Sequence, residues 1–459
     1  MKKYLNNIIK TAGLVLAFTL SLSSCEQWID TDLNVDPDSP ADVPMNLLLP
    51  AVEMNYGYLL AGNDLVRTTS IWMQQFDGVD RQSYTEARYQ LMPSDVNNLW
   101  NSVYTELFMN TKILLTKAQE LGSPWNEGVA KVLIASSLGK MTDVFGDMPF
   151  SQGFRGNENI LTPAFDTQQE IYDTILVILD EAIADLSAAS DPIGLGGDVV
   201  YGGSAAKWKK AASALKARHL MQLSLVNGNA AATEALTAAT GGFTSNADNL
   251  KVPWEEANHN PIFQFMEQRG DVRMGATLVN MMLDSNDPRL PFYAEEDGNG
   301  EFTGSVAGSS SSAASHPGSY VAGALAPSMM MTYAEQKFIE AEANFMLGQI
   351  TPAQTAYETA VAASVLAVTG DANTAWLAAH INGVAVTLEL IMTQKYIATY
   401  GSSQPYADYR RTGFPAMPLP IGAVIPAMPV RYPYAQEEIT YNGANVPTVT
   451  LSSILWWDR

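Results

Sequence analysis

Cysteine is almost missing from this chain, with a single one, Cys25, in 459 residues. One thiol makes no intrachain disulfide and supplies at most one metal ligand, so neither a disulfide framework nor a thiolate metal centre supports the fold. Histidine is scarce too: His219, His259, His316 and His380 are the four present. None belongs to an HExxH or any other close pair, which argues against a zinc site built on local spacing. Basic charge is short as well, since 26 Lys and Arg face 48 Asp and Glu for a formal net charge of −22. Such acidity excludes a nucleic-acid binder, which needs a clustered basic surface. It also disfavours electrostatic adsorption to anionic lipid. No GxSxG elbow is present, and "SSLGKM" lacks the residues of a phosphate loop. The stretch "EEDGNGEF" (Glu295 to Phe302) fails as a calcium loop, because Phe302 stands where the sixth-position glycine belongs. A turn with acidic flanks is expected there. No carboxylate pair stands out as a glycosidase's, so the sequence predicts no catalytic residue, no cofactor and no metal.

What is present begins at the N-terminus. "MKKYLNNIIK" is basic, Thr11 to Leu22 is apolar or small, and "LSSC" (Leu22 to Cys25) comes next. That order predicts a secretory signal peptide over residues 1–24, whose apolar part is shorter than the roughly 20 residues a spanning helix needs. "LSSC" resembles the bacterial lipobox, which makes Cys25 the lipidated first residue of a mature domain over 25–459. The acyl chains are then the membrane link. The acidic, proline-rich "EQWIDTDLNVDPDSPADVP" after it has no helical or strand period and reads as a tether.

With 47% hydrophobic residues the remainder is globular, and most of it has helical periodicity. "SPWNEGVAKVLIASSLGKM" offers Ser123 as N-cap and Pro124 at the first helical position. "DTQQEIYDTILVILDEAIADL" carries a capping-box pattern from Asp166 to Gln169 and one apolar stripe. "SAAKWKKAASALKARHLMQLS" places small alanines where helices approach closely, with Trp208 on the packed stripe. Its His219, beside Lys216 and Arg218, is expected to be solvated or capping. Trp72, Trp456 and Trp457 are assigned to core or interface. "AEQKFIEAEANFMLGQITPAQTAYETAVA" reads helix, short turn, helix, although no strict 34-residue period appears. The pattern alone predicts a mainly α fold of irregular tetratricopeptide-like hairpins with a second, loop-rich face.

Several segments, in order, resemble the SusD/RagB family of outer-membrane nutrient-binding lipoproteins. They are "DTDLNVDPDSP", "AKVLIASSLGKMTDVFGDMPFSQ", "PAFDTQQEIYDTILVILDEAIADL", "KWKKAASALKARHLMQLS", "SNDPRLPFY", "AEQKFIEAEANFMLG", "TQKYIATYGSSQPYADYRRTGFP" and "RYPYAQEE". The resemblance extends the expected fold to a tetratricopeptide-like helical-hairpin superhelix with a loop-rich ligand-binding lobe, its loops centred on 77–95 and 284–330. It implies a cell-surface lipoprotein that binds glycan, or in some relatives peptide. It also implies a SusC-like TonB-dependent transporter as partner, with the helical hairpins facing it, and no enzyme chemistry. A surface glycoside hydrolase is the remaining alternative. In these motifs Thr142, Asp143, Gly146 and Asp147 are residue types that cap helices and make tight turns. Arg410 and Arg411 beside Asp408 suit charge-assisted ties between a loop and helix ends.

Glycan capture needs flat aromatic faces and polar groups for hydroxyls. The loops offer Arg81, Tyr84, Arg88 and Tyr89 in one stretch, then Phe302, His316 and Tyr320 in another, with Tyr293 just upstream. These are the candidate ligand residues, and Cys25 is the candidate lipidation site. The anchor is tested by Cys25→Ala: the variant is expected in the soluble fraction, and fractionation that leaves it on the membrane overturns the assignment.

Overall fold

Helices with small and apolar residues on most faces make the frame. In the computed structural model, residues 1–5 and 43–458 are described, so Cys25 and its surroundings lie outside the described residues. The chain divides into Met1–Pro44 and Met45–Arg459, and the helical frame lies in the second unit. Among the described residues, eight helices pack in chain order, each against the next. They are α1 (Met45–Leu59), α2 (Met109–Glu120), α3 (Pro124–Phe145), α4 (Gln168–Asp185), α5 (Ala205–Gln222), α6 (Asn229–Ala239), α7 (Tyr333–Met346) and α8 (Ile350–Thr369). Taken two by two they form stacked hairpins, the tetratricopeptide-like arrangement expected. Two further helices, α9 (Leu388–Ala398) and α10 (Gln404–Thr412), close the end of this stack. No helix among the described residues is long and apolar enough to cross a membrane.

Helix α3 is the central rod, buried on every face from Gly128 to Phe145. A helix apolar or small all round suits only such a position. Gly139 lets α5 approach: a β-carbon there would come within 2.0 Å of His219 Cε1. His219 is therefore buried and neither solvated nor capping, contrary to the expectation from its charged neighbours. Its ring stands edge-on to Tyr172 at 6.0 Å. Burial, followed by Arg218 and Lys140, pushes its pKa down to about 3.

Two helix starts differ from expectation. Thr167, not Asp166, caps α4: its backbone N–H donates to Glu170 Oε2 at 2.8 Å, and its hydroxyl accepts from Glu170 N. Threonine with glutamate three residues on satisfies two orphan amides reciprocally. Asp166 is thereby released to accept from Phe150 N and Ser151 N at 2.7 and 2.8 Å. At α3, the Ser123 hydroxyl donates to Asp191, whose Oδ2 also accepts from Trp125 N at 2.8 Å. A carboxylate from a distant loop supplies the cap.

Most of the other motif residues hold the frame as expected, but Asp143 neither caps nor turns: buried inside α3, it accepts from the Tyr172 hydroxyl. Gly146 ends α3 with φ 77°, and the Thr142 hydroxyl donates to its carbonyl at 2.8 Å. Asp147 accepts from Gln168 N at the start of α4. The "RYPY" stretch closes over this turn: Tyr432 N donates to Val144 O, and Arg431 donates to Phe145 O. Trp72 and Tyr432 pack edge-to-face at 5.1 Å, while Trp208 and Trp457 are fully buried. In "SNDPR", buried Arg289 pairs with Asp287 at 2.6 Å and donates to Ser364 and Gln394. That ties the lobe to α8 and α9. Arg411 pairs with Glu342 of α7 and with Asp408 at 3.2 Å, and Asp408 also holds Lys395 at 2.9 Å. Burial alone would raise the Asp408 carboxyl, yet Lys395 and Arg411 hold it below its usual range.

Two small antiparallel pairs organise the lobe: β1 (Phe76–Gly78) with β3 (Val272–Met274), and β2 (Leu250–Val252) with β4 (Ser328–Met331). In the first pair Asp77 lies opposite Arg273. Strand β1 leads into a short helix, Arg81–Glu86. Its last residue, Glu86, is 1% exposed with Oε2 unpartnered. Burial raises its carboxyl to about 7, and nearby Arg67 offsets only part of the rise.

Two measurements test these buried charges. Arg411→Ala leaves the buried Glu342 uncompensated, with Asp408 held by Lys395 alone, and is expected to cost about 3–5 kcal/mol in urea unfolding. For Glu86 the folded pKa lies above the unfolded one, so its contribution is fully present below about pH 4.5. It is lost as pH rises through about 7, by on the order of 3 kcal/mol. Glu86→Gln is expected to flatten that slope in thermal melts taken across the window.

Candidate ligand-binding site

The β1–β3 pairing brings the two candidate loops together. Asp77, buried on β1, accepts from the Ser305 hydroxyl, from Gly308 N at 2.9 Å and from Ser310 N at 3.2 Å. One carboxylate thus pins the serine-rich loop onto the 77–95 segment. Arg88 ties the same loop from outside. Its Nη2 donates to Gly308 O at 2.6 Å, while its Nη1 donates to Tyr84 O and Ser310 Oγ. Its guanidinium lies over the Tyr84 ring, 3.4 Å from the centroid. A guanidinium on an aromatic face is attracted by the ring quadrupole, and here it stiffens the ring as a platform. Gly422 closes the other side, where a β-carbon would come within 2.9 Å of Arg88 Nε.

The third wall comes from the proline-rich tail. Ile421 N donates to Ala307 O, and Val424 N donates to Arg88 O, each at 2.9 Å. Gln74 Nε2 donates to Pro418 O at 2.6 Å. Leu419, Ile421 and Val424 are exposed there, as is Val306 on the serine loop. Tyr84, 40% exposed, is the aromatic in their midst. Exposed aliphatic side chains gathered at a junction of loops mark a contact surface.

The sequence-derived candidates separate into two groups. Tyr84 and Arg88 stand at this junction, while Arg81 turns away to pair with Asp271 at 2.5 Å. His316 is exposed, and burial and Arg273 lower its pKa. Phe302 is half-buried beside the 297–301 turn. In that turn Asp297 accepts from Asn299 N and Glu301 N, the acidic turn expected. Tyr89 and Tyr293 are inside the protein and offer no face to a ligand. Tyr89 is 1% exposed with φ 63°. Tyr293 packs on Tyr400 at 4.5 Å and donates to Ile397 O. Tyr320 lies half-buried against Tyr293 at 5.1 Å, and burial raises its pKa to about 12. Among the described residues no group of three histidine or acidic side chains is placed to hold a metal.

Sequence reasoning missed Arg273, which aligns with Asp77 only through strand pairing, and the tail residues Leu419, Ile421 and Val424. The proline content announced a loop over the body, but not what that loop covers. A separate cavity of about 310 Å³ lies between α2, α3 and α4, walled by Phe108, Ile134, Phe150, Phe154 and Ile178. Of its two lysines, Lys131 is committed to Glu181 and Asp185, and Lys112 lies over the Phe154 ring at 5.5 Å.

The family model for SusD-like proteins, described as starch-binding and associating with the outer membrane, matches residues 38–435. Among curated proteins none matches the chain. Among solved structures, a SusD/RagB family protein from Bacteroides thetaiotaomicron is 27% identical with a TM-score of 0.74, over 91% of this chain and 99% of that one. A chitin-binding protein is 24% identical with a TM-score of 0.80, over 91% of this chain and all of that one. A SusD homologue from Bacteroides fragilis, 24% identical, has a TM-score of 0.75 over 91% of this chain and 100% of that one. With the family model spanning most of its length and the helical-hairpin frame and loop lobe in place, the chain belongs to the SusD/RagB family.

Proposed function

We propose that the protein is a cell-surface lipoprotein that captures an oligosaccharide and delivers it to a SusC-like TonB-dependent transporter. It acts by binding and not by catalysis. The observation that carries the reading is the Tyr84–Arg88 stack, held rigid where three loops of the lobe meet. A fixed aromatic face suits the apolar face of a sugar ring, and the serine hydroxyls and arginine edges around it suit sugar hydroxyls. Preorganisation of this kind lowers the entropy lost on binding. The exposed Leu419, Ile421 and Val424 favour a second reading, peptide as the nutrient, because aliphatic side chains match apolar residues better than sugars.

Titration calorimetry against panels of neutral and acidic oligosaccharides and peptides tests the proposal. Tyr84→Ala is expected to weaken oligosaccharide binding about tenfold, or roughly 1.4 kcal/mol, with no change in thermal stability. Reducing-sugar release should be absent; its appearance would favour the glycoside hydrolase, and binding of peptides alone would favour the second reading.

A further inference from the structure

The distribution of arginines on this acidic protein singles out one loop. Seven of the eleven described arginines reach a carboxylate. Of the others, Arg410 lies between the Tyr406 and Trp457 rings, and buried Arg431 lies over Tyr434. The remaining two, Arg88 and Arg273, have no carboxylate partner among the described residues, and both clamp the same serine-rich loop. Arg88 holds it at Gly308 and Ser310. Arg273 Nε donates to Ser312 O at 3.0 Å, and its Nη1 donates to Gly270 O and Val272 O. Between the two clamps Ser309, Ser311 and Ser312 are exposed.

The nearby acids are already engaged. Asp77 accepts three hydrogen bonds beneath the loop, and Asp271, 1% exposed, is shared by Arg81 and Arg269. Glu295 forms no ion pair with either arginine among the described residues and acts on His316, which Arg273 also faces. A protein of net charge −22 repels anions over most of its surface, so two half-exposed guanidinium groups without counter-charge mark a local exception. Guanidinium edges beside serine hydroxyls suit planar or tetrahedral oxyanions.

Resting on the proposed oligosaccharide-binding role, we infer that the Arg88–Arg273 clamp and its serine loop select an acidic saccharide, one bearing a carboxylate or a sulfate ester. The Tyr84 platform holds the sugar ring, and the clamp holds the charge.

The test is calorimetry of the full chain with matched pairs: oligogalacturonate against its methyl ester for the carboxylate, and dextran sulfate against dextran for the sulfate. Malto- and chito-oligosaccharides serve as the neutral panel. The expected result is an acidic member bound about tenfold or more tightly than its neutral mate, with affinity falling as salt rises. Arg273→Met should abolish that preference while Arg273→Lys retains part of it. Circular-dichroism melts identify any variant that has lost its fold, and Ser312→Pro, which disturbs the loop without removing charge, provides a second variant. Equal binding of both members, or a preference that survives Arg273→Met, overturns the inference. Binding of neutral oligosaccharides alone overturns it and leaves the proposed function standing, whereas no saccharide binding at all removes both.

Discussion

The buried pairing of Arg411 with Glu342 and Asp408, extended by Lys395, is the constraint on which the assembly of this fold rests. Four charged side chains taken out of water are tolerable only if each finds its partner, so the cluster has one acceptable arrangement. That arrangement fixes α7, α9 and α10 relative to one another. A buried Arg218–Glu335 pair joins α5 to α7 in the same way. Apolar packing makes the hairpins stick, and these pairs specify how the last helices seat against them.

From α10 the chain passes into the tail, and the tail shapes the lobe. Arg431 and Tyr432 close over the end of α3, while residues 418–424 run back along Arg88 and the serine loop. The candidate surface is thus built from loops, but loops fastened at several points each. Asp77 works from below and Arg88 from outside. The division of labour suits a binding protein: rigid helices carry position, and loops carry recognition.

The frame was legible because its signals are local. Helical periodicity, alanine-rich crossings, Pro124 and Gly146 each predicted a role that the structure fills; Arg410 ties the tail at Val430 as expected, whereas Arg411 joins helix to helix. Misreadings occurred where two local signals competed. Asp166 and Thr167 are both good caps, and only the glutamate at 170 decides between them. His219 looked polar by its neighbours, but Gly139 on another helix gives it a buried place. Tyr89 and Tyr293 sit in loop-like sequence, yet their rings face inward, and nothing local distinguishes them from Tyr84.

By itself the sequence determined the mainly helical class of fold, many of the helices of its frame and the acidic balance of the chain. Each of these depends on spacing or composition, which are properties of the chain alone. Only the tertiary structure decided which aromatic faces solvent, which tail residues border it, and that Arg88 and Arg273 grip one loop from two sides. Those facts arise from pairings across hundreds of residues, of β1 with β3 and of 418–424 with 307 and 88. Long-range partners are chosen by packing and burial of the whole chain, and no local pattern records them.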